Sequence, residues 1–439
     1  MSRHNRGDDH VTTTPSSAAR RNVAVVGSGV AGLTAAWVLS KSANVTLFEA
    51  DRRLGGHADT HVVDTERGPL PVDTGFIVHN DRTYPTLQRL FRELNVATQE
   101  SDMSMSIHCD GCGLEYSGGQ GLSGLFPSVG TALRPKYLTM LREITRFHRQ
   151  ARELLASPDT DDSITVDDFV AMGEFSPYFT AHFMTPLVSA VWSCNPVVAL
   201  AYPARYLFTF LEHHGMLGVS GSPTWRTVTG GSVEYVSRVA EAISRIELET
   251  PVRAIRRNAD SVEITVASGA SERFDAAVVA THPRQALDML VEPTSAEHTI
   301  LGAMAYSPNR AQLHTDTSVL PTLARARASW NYSMPACDAK PDNVLVSYDM
   351  TRLQRLPNTG VRYLVTLGGA DSVDPASVID EMDYEHPQYT PDSVSAQQRL
   401  PELDSDTLAF AGAYHGWGFH EDGALSGLRA AERIGGMWT

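Results

Sequence analysis

Apolar positions recur with two different periods along this chain, and each change of period marks an element. Val23 to Val26 is an unbroken apolar run, the pattern of a short strand covered on both faces. Gly27-Ser-Gly-Val-Ala-Gly32 follows at once, and then LTAAWVLS, whose small residues Ala35 and Ala36 predict a helix lying close on a sheet. Val45 to Phe48 predicts a second strand. Strand, glycine turn, helix and strand open a doubly wound α/β domain.

Further on, PTLQRLFREL places Leu87, Leu90, Phe91 and Leu94 at i, i+3, i+4 and i+7, which predicts an amphipathic helix. Leu133 to Leu155 also reads as helix, with Leu138, Leu141, Ile144 and Phe147 on one side. Pro251 to Thr281 changes period. Its β-rich runs VRAIRR, VEITVA and FDAAVVAT are separated by NADS and SGAS turns, a meander. Thr185 to Leu211 is strongly apolar but carries Pro186, Pro196, Pro203 and Arg205, so it predicts buried or pocket-lining helices rather than a membrane span. The chain ends with FAGAYHGWGF and a helix, ALSGLRAAERI.

Composition narrows the picture. A chain of 439 residues is too long for one core, so two domains are expected. A net charge of −15 argues against a nucleic-acid surface. Residues 1–21 are polar and read as a disordered tail, and a cytoplasmic protein is expected, with peripheral membrane contact left open. Cys109 and Cys112 form a lone CxxC. A zinc site needs a second ligand pair, and Cys194 and Cys337 lie far away in sequence, so the expectation is a glycine-containing turn between strands and no metal.

The glycine turn carries the chemistry. Gly27 permits the tight bend, Gly29 lets backbone N–H groups approach a pyrophosphate, and Gly32 lets helix and strand touch, with Ser28, Val30 and Ala31 between them. Glu49 follows Gly27 by 22 residues, where a carboxylate accepts from ribose hydroxyls and would repel a 2′-phosphate.

The next residues choose between dinucleotides. Glu49-Ala50-Asp-Arg-Arg53-Leu-Gly55-Gly56 resembles the E-A-x-x-R-x-G-G segment of the flavin amine oxidase superfamily. The resemblance implies FAD, with Arg53 near the phosphates and Gly55 and Gly56 passing close to the cofactor. His57 stands where that family often has arginine, either against the phosphates as a titratable cation or nearer the flavin. Val252, in TPVRAIRR, resembles the residue whose backbone contacts adenine. Phe410-Ala-Gly412 with Asp422-Gly423-Ala424 resembles the closing motif, whose helix N-terminus points at the flavin ring. VDTGFIVHNDRTYPTL, which adds Thr74, Gly75 and Phe76 to the expected cofactor residues, is similar to a bacterial group of predicted NAD/FAD-binding oxidoreductases, as are WRTVTGGSVEYV and LHTDTSVLP…ASWNY. Related domains occur fused ahead of plant cyclopropane fatty-acid synthases.

The fold implied is a Rossmann-like FAD-binding domain (residues 22–100, 225–290 and 405–439) interleaved with an α+β substrate domain (101–224 and 291–404). The activity implied is FAD-dependent oxidoreduction of a hydrophobic, lipid-like substrate. His79, Tyr414, His415, Trp417 and His420 are candidate catalytic residues, because imidazoles handle protons near neutral pH and aromatics line apolar pockets. Amine oxidation is the alternative. It often uses a lysine that holds water at the flavin, and the chain has only Lys41, Lys136 and Lys340, none well placed. A second alternative is non-catalytic lipid or partner binding, as in prenyl-binding GDP-dissociation inhibitors. The intact glycines, Glu49 and Arg53 argue against it.

Overall fold

The computed structural model describes residues 20–157, 162–218, 221–369 and 371–438. The expected tail therefore lies outside the described residues, apart from Arg20 and Arg21.

The opening unit forms as its pattern predicts: strand β1 (Asn22–Val26), helix α1 (Val30–Ser40) and strand β2 (Asn44–Phe48). β1 lies at the centre of a five-stranded parallel sheet. Strands Arg245–Glu247 and β2 lie on one side of it, and Ala276–Val279 and Leu408–Phe410 on the other. Alternate side chains of β1 enter different cores, which is why the run is apolar without a break. Val23 and Val25 pack with α1 and the C-terminal helix, whereas Ala24 and Val26 pack with a three-stranded meander.

The third strand of that meander is Ser271–Phe274, not the whole of FDAAVVAT. AAVV is buried at all four positions and pairs in parallel with β1, while Ser271, Glu272 and Arg273 are exposed. Burial on both faces separates the two strands.

A second, seven-stranded sheet runs in the order Val378–Pro387, Tyr306–His314, Leu364–Leu367, Val346–Asp349, Trp330–Met334, Met105–Cys109, Leu114–Gly118. All its pairings are antiparallel except that of Trp330–Met334 with Met105–Cys109. Its core is closed by helices Pro135–Ala156, Thr185–Trp192 and Ala204–His213. Pro186, Pro196 and Pro203 break the apolar run into three short helices, as their spacing predicts. The long helix Pro135–Ala156 buries Tyr137, Met140, Glu143, Phe147 and Ala151. Leu138 is exposed, so the buried face is rotated from the expected one. Glu143 is accommodated inside because its carboxylate accepts from the Ser176 N–H (2.8 Å) and hydroxyl (2.7 Å). Among the described residues no helix is long and apolar enough to cross a membrane.

Candidate functional site

One cavity of about 1490 Å³ runs from the glycine turn to the seven-stranded sheet. Small-molecule sites usually occupy roughly 300–1,000 Å³, so this one has room for a dinucleotide and a second molecule.

At one end the chain itself shows what the glycines do. A Cβ on Gly32 would lie 1.9 Å from the Gly27 carbonyl oxygen, and one on Gly27 2.7 Å from that of Ala280. These two glycines allow backbone elements to meet. A Cβ on Gly29 would touch nothing within 4 Å. The space above Gly29 is open, at the N-terminus of an 11-residue helix, where N–H groups and the helix dipole favour an anion. Glu49 stands at the end of β2, and its carboxylate accepts from the Ser28 N–H at 2.9 Å and from the Ser28 hydroxyl. Ser28 in turn accepts from the Gly55 N–H, through its carbonyl at 3.1 Å and its hydroxyl at 3.2 Å, which ties the second glycine segment to the first.

Of the residues expected at a cofactor, Gly27, Ser28, Gly29, Val30, Ala31, Glu49, Ala50, Arg53, Gly56, His57, Thr74, Gly75, Phe76, Val252 and Gly412 line the cavity. Gly32, Gly55, Asp422, Gly423 and Ala424 do not, and each has another task or neighbourhood. Gly55 bends at φ +114°, and Asp422 folds back to accept from the Phe419 N–H at 2.9 Å. A Cβ on Gly423 would lie 2.6 Å from Val30, so this glycine seats the C-terminal helix, His420–Arg433, against α1; Ala424, on the same helix, is fully buried in the core shared with α1. The same helix still presents its N-terminus to the cavity, through Gly418, Phe419 and His420. The cavity contact thus falls one turn earlier than the closing motif suggested.

Arg53 lines the cavity while bracing its wall. Its guanidinium pairs with Asp59 at 2.8 Å and donates to the Gly56 carbonyl at 2.9 Å. Asp59 accepts from the Tyr384 hydroxyl at 2.9 Å, and the Tyr384 ring stacks on His57 at 5.0 Å. His57 is half-buried, and its Nε2 is enclosed without a partner. Burial, followed by neighbouring His282 and Arg53, lowers it to about 4. This shift favours the uncharged ring. His386, 5.5 Å from His57, is held down to about 3 by burial and by His57 and His282. His282 donates from Nδ1 to the Glu385 carboxylate at 2.7 Å. His282, Tyr384, Glu385 and His386 gave no sequence signal. They come from a strand and a helix cap more than 200 positions from His57 and meet it only in the fold.

Among the catalytic candidates, Tyr414 and His420 line the cavity. Tyr414 is buried with its hydroxyl unpartnered. His420 stacks on Phe76 at 3.7 Å, and Nε2 lies 3.3 Å from the Tyr235 hydroxyl. Burial holds His420 well below its ordinary value. His79, His415 and Trp417 are not cavity-lining. His79 lies in a small sheet with its ring against Phe91, His415 is enclosed beside Tyr414, and Trp417 packs on Phe210 and His213.

The other end of the cavity is built from residues 101–224. Met103, Met105, Ile107, Leu125, Ile144, Phe183, Leu187 and Val191 line it. No Asp, Glu, Lys or Arg from this stretch does so among the described residues. None of the three lysines lines any part of the cavity.

A parallel sheet with a glycine-rich turn, a carboxylate at the end of its second strand and a helix N-terminus facing one long cavity is the arrangement of a dinucleotide-dependent oxidoreductase. The family of flavin containing amine oxidoreductases matches residues 30–435, and the chain belongs to it. It is an FAD-dependent oxidoreductase. Over 47 residues it is 51% identical to the L-amino-acid oxidase of Notechis scutatus scutatus, a match spanning 10% of this chain and 9% of that protein. Similar solved structures include the cyclohexylamine oxidase of Brevibacterium oxydans IH-35A (TM-score 0.67, 18% identity, 94% of this chain and 98% of that one). They also include a CLA-producing fatty acid isomerase from P. acnes (TM-score 0.64, 14% identity, 94% and 99%). At these identities the likeness is one of fold.

Proposed function

We propose that this flavoprotein exchanges a hydride between the flavin N5 and a hydrophobic, lipid-derived substrate, by dehydrogenation, reduction or isomerisation. The observation that carries the reading is the uncharged wall contributed by residues 101–224. An ammonium group drawn from water into such a wall needs a carboxylate partner, and a hydrocarbon chain needs none. The absence of lysine from the lining supports the same reading against amine oxidation. The fatty acid isomerase among the similar folds is compatible with it, as is the resemblance to the group linked to cyclopropane fatty-acid synthases.

The chain's part in this reaction is to position and to exclude water. Residues 22–100, 225–290 and 405–439 would hold FAD, which supplies the hydride acceptor or donor. Residues 101–224 and 291–404 would hold the substrate. Gly29 and the start of α1 would take the pyrophosphate, Glu49 the ribose, and the backbone at Val252 the adenine. Tyr414, His420 and His57 line the same cavity, as do His282, Tyr384 and His386, and these groups would hold a proton or orient a polar end of the substrate.

The test is to expose the purified flavoprotein, without oxygen, to a total lipid extract and to identify by mass spectrometry what is consumed and formed. A changed acyl lipid supports the reading. Reduction of the flavin by an amine panel with no change in any lipid overturns it.

A further inference from the structure

We propose that Cys109, Cys112, Cys337 and His182 bind a single zinc ion behind the wall of the cavity. The four side chains come from three distant stretches. The CxxC is the turn between strands Met105–Cys109 and Leu114–Gly118. Cys337 follows strand Trp330–Met334, which lies parallel to the first with Met334 opposite Cys109. His182 sits on a π-helical turn, Thr180–Met184, just before helix Thr185–Trp192. A Cβ on Gly111 would lie 2.9 Å from the Ala336 Cα, so glycine there lets the two loops close together.

The geometry is that of a four-coordinate site. All four ligand atoms lie within 4.8 Å of one another. Zinc binds thiolate at ~2.3 Å and imidazole at ~2.0–2.1 Å, so a tetrahedral site has sulfur–sulfur edges of about 3.8 Å and sulfur–nitrogen edges of about 3.6 Å. The Cys109–Cys337 sulfurs are 3.8 Å apart, and the Cys112 sulfur is 3.6 Å from His182 Nε2. His182 also has the tautomer a metal requires. Its Nδ1 lies 3.1 Å from the Tyr178 carbonyl, which can only accept, so Nδ1 carries the proton and Nε2 offers its lone pair. Arg134 donates to the Cys112 and Gly113 carbonyls at 2.6 and 2.9 Å. Its guanidinium fixes the turn and offsets the single negative charge of three thiolates with a divalent ion.

Four protein ligands leave no open position, which makes this a structural site rather than a catalytic one. None of the four lines the cavity, but Phe183, next to His182, and Ile107, two positions before Cys109 on the same strand, do. The Tyr116 hydroxyl, also on the cavity wall, donates to the His182 carbonyl at 2.9 Å. The ion would pin three segments of the apolar wall to one another.

Metal analysis and cobalt spectroscopy on the full-length flavoprotein, purified without a histidine tag, test the proposal. The wild type should keep about one zinc per chain through dialysis. Replacement by cobalt should give tetrahedral d–d bands with thiolate charge transfer. Cys112→Ser and His182→Gln should lose the ion, and Cys194→Ser should keep it. His182→Cys should retain cobalt with a tetrathiolate spectrum, which guards against a glutamine variant that merely fails to fold. Wild-type protein that holds its flavin but takes up neither zinc nor cobalt from excess would overturn the proposal. So would a disulfide between any two of the three cysteines in freshly purified protein, or metal that persists in both loss variants.

Discussion

Gly29 and Gly32 lie three positions apart in one motif and do different physical work. At Gly29 the backbone is in an ordinary extended conformation and a Cβ meets nothing, so alanine there leaves the fold intact and projects a methyl into the open space we propose for the pyrophosphate. Gly29→Ala should therefore fold with a stability change within ~1 kcal/mol, while its flavin dissociation constant rises at least ~10-fold, a loss of ~1.4 kcal/mol. At Gly32 the methyl would strike the Gly27 carbonyl, and Gly32→Ala should cost about 3 kcal/mol of stability or more. Thermal unfolding together with flavin content on the two variants separates the roles. Glu49→Gln removes a charged acceptor without changing shape, and flavin binding should weaken by about tenfold to a hundredfold, ~1.5–3 kcal/mol, in a fluorescence titration. These positions were legible because backbone constraints act within a few residues of one another. The surroundings of His57 were not, since Tyr384 and His386 reach it through the second sheet. The CxxC was read as a turn, which it is, but Cys337 and His182 converge on that turn only in three dimensions.

At the scale of elements, periodicity located α1, Pro85–Glu93, Pro135–Ala156 and the C-terminal helix, missed the cavity-lining helix Pro283–Met289, and misjudged phase and joints. The helix Pro135–Ala156 is present, but hydrogen bonding from Ser176 draws Glu143 inside and turns Leu138 outward, an exchange no apolar count registers. FDAAVVAT reads as one strand but is divided between two sheets. The C-terminal helix owes its position to two small residues. A Cβ on Gly427 would lie 2.1 Å from the Ala31 carbonyl oxygen, so Gly427→Ala should push the helix from α1 and cost about 1–3 kcal/mol. Flavin release should accompany the lower unfolding midpoint, because the same helix carries Phe419 and His420 to the cavity. Helix Thr185–Trp192 tests the substrate end alone. Val191→Asp places a carboxylate on the uncharged wall, with a desolvation cost of a few kcal/mol for an apolar ligand's site. Steady-state kinetics should show KM for an acyl substrate raised at least ~10-fold with flavin content unchanged.

For the whole molecule, burial of neutral histidines sets the response to acid. Burial is the leading cause that lowers His57, His79, His214, His314 and His415 to about 4 and His386 to about 3. Each binds a proton more readily in the unfolded chain, so its contribution is present above about pH 6.5 and is lost as pH falls through the folded value, at ~1.4 kcal/mol per unit. Asp73 and Asp422, raised by burial to about 6 and about 7, act in the opposite sense, because acid relieves their penalty. Burial also lowers His148, His282 and His420 and raises Asp349, Asp404 and Glu421; the lowered histidines outnumber the raised carboxyls, and the unfolding midpoint should fall between pH 6.5 and 4, as differential scanning fluorimetry will show. The uncharged lining contributed by residues 101–224 makes that end of the cavity suitable for hydrocarbon. That claim is tested most directly by the flavin's own spectrum. The flavoprotein is titrated anaerobically, first with acyl lipids of increasing chain length and then with primary amines of matched length. Our account predicts saturable perturbation or bleaching of the flavin band by the acyl lipids, tightening with chain length, and none by short amines. Bleaching by amines with no response to any acyl lipid would contradict it.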